Sequence, residues 1–245
     1  MGGPCYIKKD GRFALAPTAT DNFQVAPFTY KGVQYQSCEQ AYQANKFQVG
    51  SAEHEAIRSI VPDTKNNETD ESHGMRCWNA GQNVSGLSTS RSDRESAKLN
   101  IMYEANKAKY DQHPELQLAL LQTGDAEIVG APSTSWTVGG ILHKWSFWNG
   151  LIQMRIREEL KPPADRKSDL LESIVKQFQE YENIFSPAIH SQQAALLARM
   201  KACGFKMPWV CTLCSFDNSS FPSICESCDS VNPDYAPALS AANGR

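Results

Sequence analysis

"SCEQAYQANKF", residues 37–47, places a glutamate, a tyrosine, a glutamine and a lysine in one short stretch of helical character. Ser37 with Gln40 three residues later forms a capping box, so the sequence predicts a helix from Ser37 through Phe47, stopped by Gly50. Within it Glu39, Tyr42, Gln43 and Lys46 fall at i, i+3, i+4 and i+7 on one face, opposite a small apolar face. On spacing alone that stripe reads as a solvated surface, with Glu39 and Lys46 complementing the helix dipole at its two ends. Read as a reactive face, it sets a carboxylate and an amine about 10 Å apart along the axis.

The neighbouring segments decide between these readings. Upstream, "DNFQVAPFTYKGVQYQS" (residues 21–37) holds an Asn-Phe pair, an Ala-Pro-Phe and a short alternating strand around Val33 and Tyr35. Downstream, residues 99–136 begin with a helical pattern in which Leu99, Met102, Tyr103, Asn106 and Tyr110 share a face. Pro114 suits a first helical position and Gly124 a C-terminal stop. "NGLIQMRIREEL" (149–160) reads as a closing helix.

This succession resembles the NADAR (YbiA-like) family, in which S-N-F, A-P-F and S-x-E-H-A-Y-Q-A-x-K-F mark the active site. The positions that match are Asn22, Phe23, Pro27, Phe28, Ser37, Glu39, Ala41, Tyr42, Gln43, Ala44, Lys46 and Phe47, and Gln40 stands where the family has histidine. The family's D-x-x-W-G-x-G reads "STSWTVGG" here: Ser133 replaces the aspartate and Thr137 a glycine, while Trp136, Gly139 and Gly140 remain. At "FWNG" only Gly150 aligns cleanly, beside Asn149.

The resemblance implies an α+β, mainly helical domain with a small sheet over residues 1–160, acting on N-glycosidic bonds of ribose derivatives. The substrates it suggests are ADP-ribose on guanine, in nucleic acid or nucleotides, or phosphoribosylamino intermediates of riboflavin synthesis. Loss of the aspartate also makes a non-catalytic ADP-ribose reader credible. Glu39 would stabilise charge at the anomeric carbon, and Lys46, if buried and neutral, would attack it. Asn22, Phe23, Tyr42, Gln43, Trp78, Trp136, Gly139, Gly140 and Asn149 are the expected ligand contacts, with Trp136 stacking on a base and the glycines admitting a diphosphate. No cofactor is expected in this domain. His54, His73, His113 and His143 show no metal spacing.

The chain carries 24 Lys and Arg against 27 Asp and Glu, a net charge of −3, which argues against a general electrostatic grip on nucleic acid. Apolar runs are too short to span a bilayer and the first residues lack a signal-peptide core, so the expected location is cytoplasmic or nuclear with no membrane contact.

Four of the eight cysteines cluster as C-x2-C, ten residues, C-x2-C at Cys211, Cys214, Cys225 and Cys228. Paired C-x2-C turns complete a closed, structural tetrahedral Zn2+ site, and metal binding supplies the folding energy that so short a stretch lacks. With Trp209 and Asn218 the pattern resembles a Ran-binding-protein-type zinc finger at 207–232. Members of that group bind ubiquitin or single-stranded RNA. Ser215-Phe216, close to the Thr-Phe of the ubiquitin binders, and the lack of arginine between Trp209 and Cys228 favour ubiquitin or another protein surface. Between the modules, residues 161–206 read as a helical connector. Leu171, Ile174, Val175 and Phe178 form one apolar stripe of it. Residues 233–245 have the composition of a disordered tail.

Overall fold

The computed structural model describes residues 3–83, 90–186, 199, 209–210 and 217–218. The chain divides into two units, Met1–Phe185 and Ser186–Arg245. The first unit is mixed α and β, with seven α-helices and small sheets among the described residues. Strand β1 (Cys5–Lys9) is central in a three-stranded antiparallel sheet, flanked by β2 (Arg12–Leu15) and β5 (Glu127–Gly130). Tyr6 pairs with Leu15 on one side and Val129 on the other. A separate hairpin of β3 (Phe28–Tyr30) and β4 (Val33–Tyr35) feeds directly into α1 (Cys38–Ala44). α2 (Ala52–Arg58) and α3 (Asp70–Asn83) then pack against α1.

The core is built on α4 (Arg94–Gln112), whose Leu99, Met102, Asn106 and Tyr110 are buried on the face expected from their spacing, with Tyr103 of that face half-buried. Pro114 opens α5 (Pro114–Leu121), and the turn at Gly124 leads into β5, as the sequence reading expects. A second hairpin, β6 (Ser135–Val138) with β7 (Ile141–Lys144), runs straight into α6 (Trp145–Leu160). α6 lies so close on β5 that a Cβ at Gly150 would sit 2.1 Å from Ile128 O, which is why glycine occupies the end of "FWNG". Arg157, fully buried, fastens the far end of α6 to the α5–β5 turn by donating to Thr123 Oγ1 at 3.1 Å and Ala126 O at 2.7 Å.

α7 (Ser168–Asn183) packs on α6 and α4 within the same unit. Its buried side chains are Ile174, Phe178 and Tyr181, so the apolar stripe runs one turn past the sequence reading. The rest of the expected connector, residues 187–206 apart from residue 199, lies outside the described residues. In the second unit β8 (Trp209–Val210) pairs antiparallel with β9 (Asp217–Asn218), setting Trp209 opposite Asn218. Cys211, Cys214, Ser215, Phe216, Cys225, Cys228 and residues 233–245 lie outside the described residues. Among the described residues no helix is long and apolar enough to cross a membrane.

Candidate active site

The expected helix forms, but it is shorter and wholly interior. Ser37 Oγ accepts from Gln40 N at 3.2 Å, capping α1 as predicted. Gln40, in the place of the family histidine, explains why the stretch is buried. Its side-chain oxygen accepts from Gln36 N at 2.6 Å, and its amide nitrogen faces Ile57 O at 3.0 Å, Arg58 O at 3.1 Å and Ile60 O at 2.7 Å. The orphan carbonyls at the end of α2 are thereby satisfied by α1. The helix stops at Ala44 because Asn45 turns its amide onto Ala41 O at 2.8 Å and Tyr35 Oη at 2.9 Å. The main chain then departs to pair elsewhere: Arg91 N donates to Lys46 O at 3.0 Å and Phe47 bridges Ser90. Two expectations are corrected. The helix does not reach Phe47, and the polar stripe is not solvated, since Glu39 is 0% and Gln43 1% exposed. Lys46 lies off the helix, so helical rise no longer sets its distance from Glu39.

A cavity of about 320 Å3 opens beside this segment. Tyr42, Gln43 and Lys46 form one wall, Trp78 and Gln82 of α3 another, and Arg94, Glu95 and Lys98 of α4 a third. Thr134, Ser135, Trp136 and Trp145 close it. Glu39 lies behind Gln43, which donates to Glu39 Oε1 through Nε2 at 2.6 Å. Gln43 fits there because α3 carries Gly81: a Cβ at that position would sit 2.1 Å from Gln43 Oε1. That oxygen is buried without a hydrogen-bond partner, an acceptor that a bound polar group would satisfy.

Burial pushes the Lys46 amine down to about 8; Glu39 opposes the shift, while Arg94 and Lys98 add to it. The free amine is then the minor form at pH 7, far more populated than in an exposed lysine. Its Nζ lies 5.1 Å from the centroid of Tyr42, whose ring meets Trp145 edge-on at 5.2 Å. Lys98, held low chiefly by burial, contacts Glu95 Oε2 at 2.6 Å and sits 4.6 Å over the Trp136 ring. Trp136 is positioned from behind: it stacks on His143 at 5.4 Å and donates its Nε1–H to Tyr181 at 3.2 Å. The Tyr181 hydroxyl in turn donates to Glu95 O at 2.7 Å, tying the β6 wall to the α4 wall. The site thus combines a partly neutral amine, aromatic walls, a buried carboxylate behind Gln43 and two further cations, Arg94 and Lys98. These groups suit attack on, and charge stabilisation at, the anomeric carbon of an anionic sugar.

Of the expected residues, Tyr42, Gln43, Lys46, Trp78 and Trp136 line this cavity, and Glu39 stands just behind it. Asn22, Phe23 and Asn149 lie inside the fold and outside the lining. Asn22 donates to Asn149 Oδ1 at 3.2 Å and accepts from Asn106 at 2.7 Å, and Gln153 donates to Asn106 Oδ1 at 2.9 Å, a buried amide relay across α4 and α6. The main-chain oxygen of Asn22 accepts from Glu39 N at 2.9 Å, so the relay positions the start of α1. Phe23 packs on Gly74, where a Cβ would come within 2.5 Å of its ring. Gly139 and Gly140, both at positive φ, make the turn of the β6–β7 hairpin and are not in the lining. Ser133 lines a neighbouring cavity instead. The histidines hold structure: His54 meets Tyr35 Oη at 2.9 Å and His113 meets Pro27 O at 2.9 Å.

Sequence reasoning missed Gln82, Arg94, Glu95, Lys98 and Tyr181. A signal existed for two of them. Arg94 and Lys98 are cations in the opening turns of α4, where the helix dipole favours acids, and such a placement calls for an external reason.

The N-glycosidase YbiA of Shigella flexneri and that of Shigella sonnei are each 30% identical over 141 residues, covering 57% of this chain and 79% of the relative. The NMR structure of the E. coli protein YbiA is 29% identical, covering 58% of this chain and 77% of that one, with a TM-score of 0.44. The NADAR domain model matches residues 7–161, and on that match the chain belongs to the NADAR family.

Proposed function

We propose that the chain is an N-glycosidase that hydrolyses the bond between ADP-ribose and guanine, in nucleic acid or nucleotides. The observation that carries the reading is the placement of Lys46: a largely buried amine in an aromatic-walled cavity of a NADAR-family chain, with Glu39 behind Gln43. The relatives' name, N-glycosidase, supports the reaction type. Three cations around the cavity, Lys46, Arg94 and Lys98, suit a phosphorylated sugar.

In the proposed reaction the free Lys46 amine adds to C1 of the ribose as the C1–N bond to the base breaks. That electron pair leaves on the base, which takes up a proton, and the Lys46 nitrogen gives one up. In the resulting glycosylamine the Lys46 nitrogen forms a C1=N iminium bond as the ring C1–O4 bond breaks and O4 takes up a proton. Water then adds to C1, one of its protons passes to the nitrogen and the other is released, and the C1–N bond to Lys46 breaks, releasing the open-chain sugar aldehyde and regenerating the amine. Glu39 stabilises the positive charge that develops at C1 and on the iminium, and holds Gln43 toward the sugar.

The test is release of free ADP-ribose from a guanine-ADP-ribosylated DNA oligonucleotide by the whole protein, with Glu39→Gln and Lys46→Ala beside it. Release lost in both variants supports the assignment. Turnover of a phosphoribosylamino pyrimidine instead would move the substrate to the riboflavin-type intermediate. ADP-ribose binding without release would make the chain a reader.

For the C-terminal module we propose a structural zinc finger at 207–232 that contacts ubiquitin through Ser215 and Phe216. Four thiols as two C-x2-C pairs form a donor set suited to Zn2+, and the pairing of Trp209 with Asn218 brackets the first pair. Zinc should co-purify with the wild-type chain and be lost from Cys214→Ser; wild-type protein free of zinc would refute the finger.

A further inference from the structure

A second cavity, of about 670 Å3, adjoins the first. The two share Ser135 in their linings, so both open at the start of β6. The Lys46 cavity alone, near 320 Å3, lies at the floor of the range typical of ligand sites, roughly 300–1,000 Å3. A substrate larger than a substituted pentose extends beyond it, and the second cavity has Ser135 in common with it.

Its chemistry is distinctive. One side carries two aromatic rings, Tyr6 of β1 and Phe13 of β2. Phe13 is 60% exposed on an edge strand, where a large apolar side chain contributes little to packing. The other side carries Lys144 with Ser133, Ser135 and Ser146, and no carboxylate appears in the lining. β6–β7 pairing sets Ser135 directly opposite Lys144, which fixes the cation beside the shared rim.

We infer that this cavity is a nucleotide subsite: an aromatic base lies against Tyr6 and Phe13, and its phosphate faces Lys144 and the serine hydroxyls. An aromatic platform recognises the π-face of any base, and a cation among hydroxyl donors recognises a phosphate without needing a divalent ion. The inference rests on the N-glycosidase reading only in taking the Lys46 cavity as the reactive one. It assigns Ser133 a place in ligand binding, in the position where the family motif has an acid.

Calorimetric titration of the whole protein with AMP, adenosine and ribose 5-phosphate tests it. Phe13→Ala should weaken AMP roughly five- to a hundred-fold and leave ribose 5-phosphate unchanged. Lys144→Gln should bring AMP down to the affinity of adenosine, which it leaves unchanged. AMP binding indifferent to both variants, AMP binding abolished by Trp136→Ala alone, or no AMP binding by wild type would each overturn the subsite. ADP-ribose release from the guanine substrate, measured alongside, separates the two ideas. Release by a wild type whose AMP binding ignores both variants sinks the subsite alone. AMP binding that depends on Phe13 and Lys144, with no release, sinks the glycosidase reading alone.

Discussion

In the proposed reaction Lys46 is the residue on which the chemistry turns. Its amine is pushed down to about 8, so the reactive free base is the minor form at pH 7 and the major form above pH 8. kcat/KM should therefore rise with pH through a midpoint near 8 in the free enzyme. Glu39 is the group that pulls this amine back up, so in Glu39→Gln the midpoint should move to lower pH. The same variant loses transition-state stabilisation, with an expected drop of about 10²–10³-fold in kcat. A rate profile flat across pH 6–9 would count against Lys46 as the reacting group. Gly81 offers an independent check, because it contacts nothing that reacts. A methyl there collides with the Gln43 amide, the flexible end of a side chain, so Gly81→Ala should displace Gln43 from Glu39. The loss should fall on kcat, by about 10-fold or more, with a melting temperature close to wild type. Unchanged kcat would mean that the Gln43–Glu39 pair is not part of the machinery.

Elements rather than single residues set the walls of the site, and here the sequence was only partly legible. The capping box at Ser37 was readable because it is local, and so were the α4 stripe and the Pro114 start. The end of α1 was not, since it depends on Asn45 reaching Tyr35 and on Lys46–Phe47 pairing with residues 90–91. Burial of the polar stripe was hidden for the same reason: its partners, Asn22 and Gly81, come from distant parts of the chain. α7 is the clearest case. Its stripe predicted packing, but not that Tyr181 would join Trp136 to Glu95. α7 lies beyond the family match at residue 161, yet it braces the aromatic wall. Tyr181→Phe keeps the ring and removes both hydrogen bonds, and should cost about 1 kcal/mol of stability. It should raise KM several-fold with kcat little changed, because the proposed site has Trp136 bind rather than react. Steady-state kinetics on the variant decide this, and an unchanged KM would reduce Tyr181 to a packing residue.

At the scale of the whole molecule, the proposed reactive groups of the NADAR unit gather where α1, α3, α4 and the β6–β7 hairpin meet. The family match fixes that unit, and the placement of Lys46 within it gives the central claim: the amine becomes covalently joined to the sugar during turnover. The most direct measurement is borohydride trapping. Whole protein is mixed with guanine-ADP-ribosylated oligonucleotide, reduced during turnover and mapped by peptide mass spectrometry. A sugar adduct on Lys46, absent without substrate and absent in Lys46→Ala, is the predicted result. ADP-ribose release with no adduct on Lys46, or with the adduct on another lysine, would contradict it.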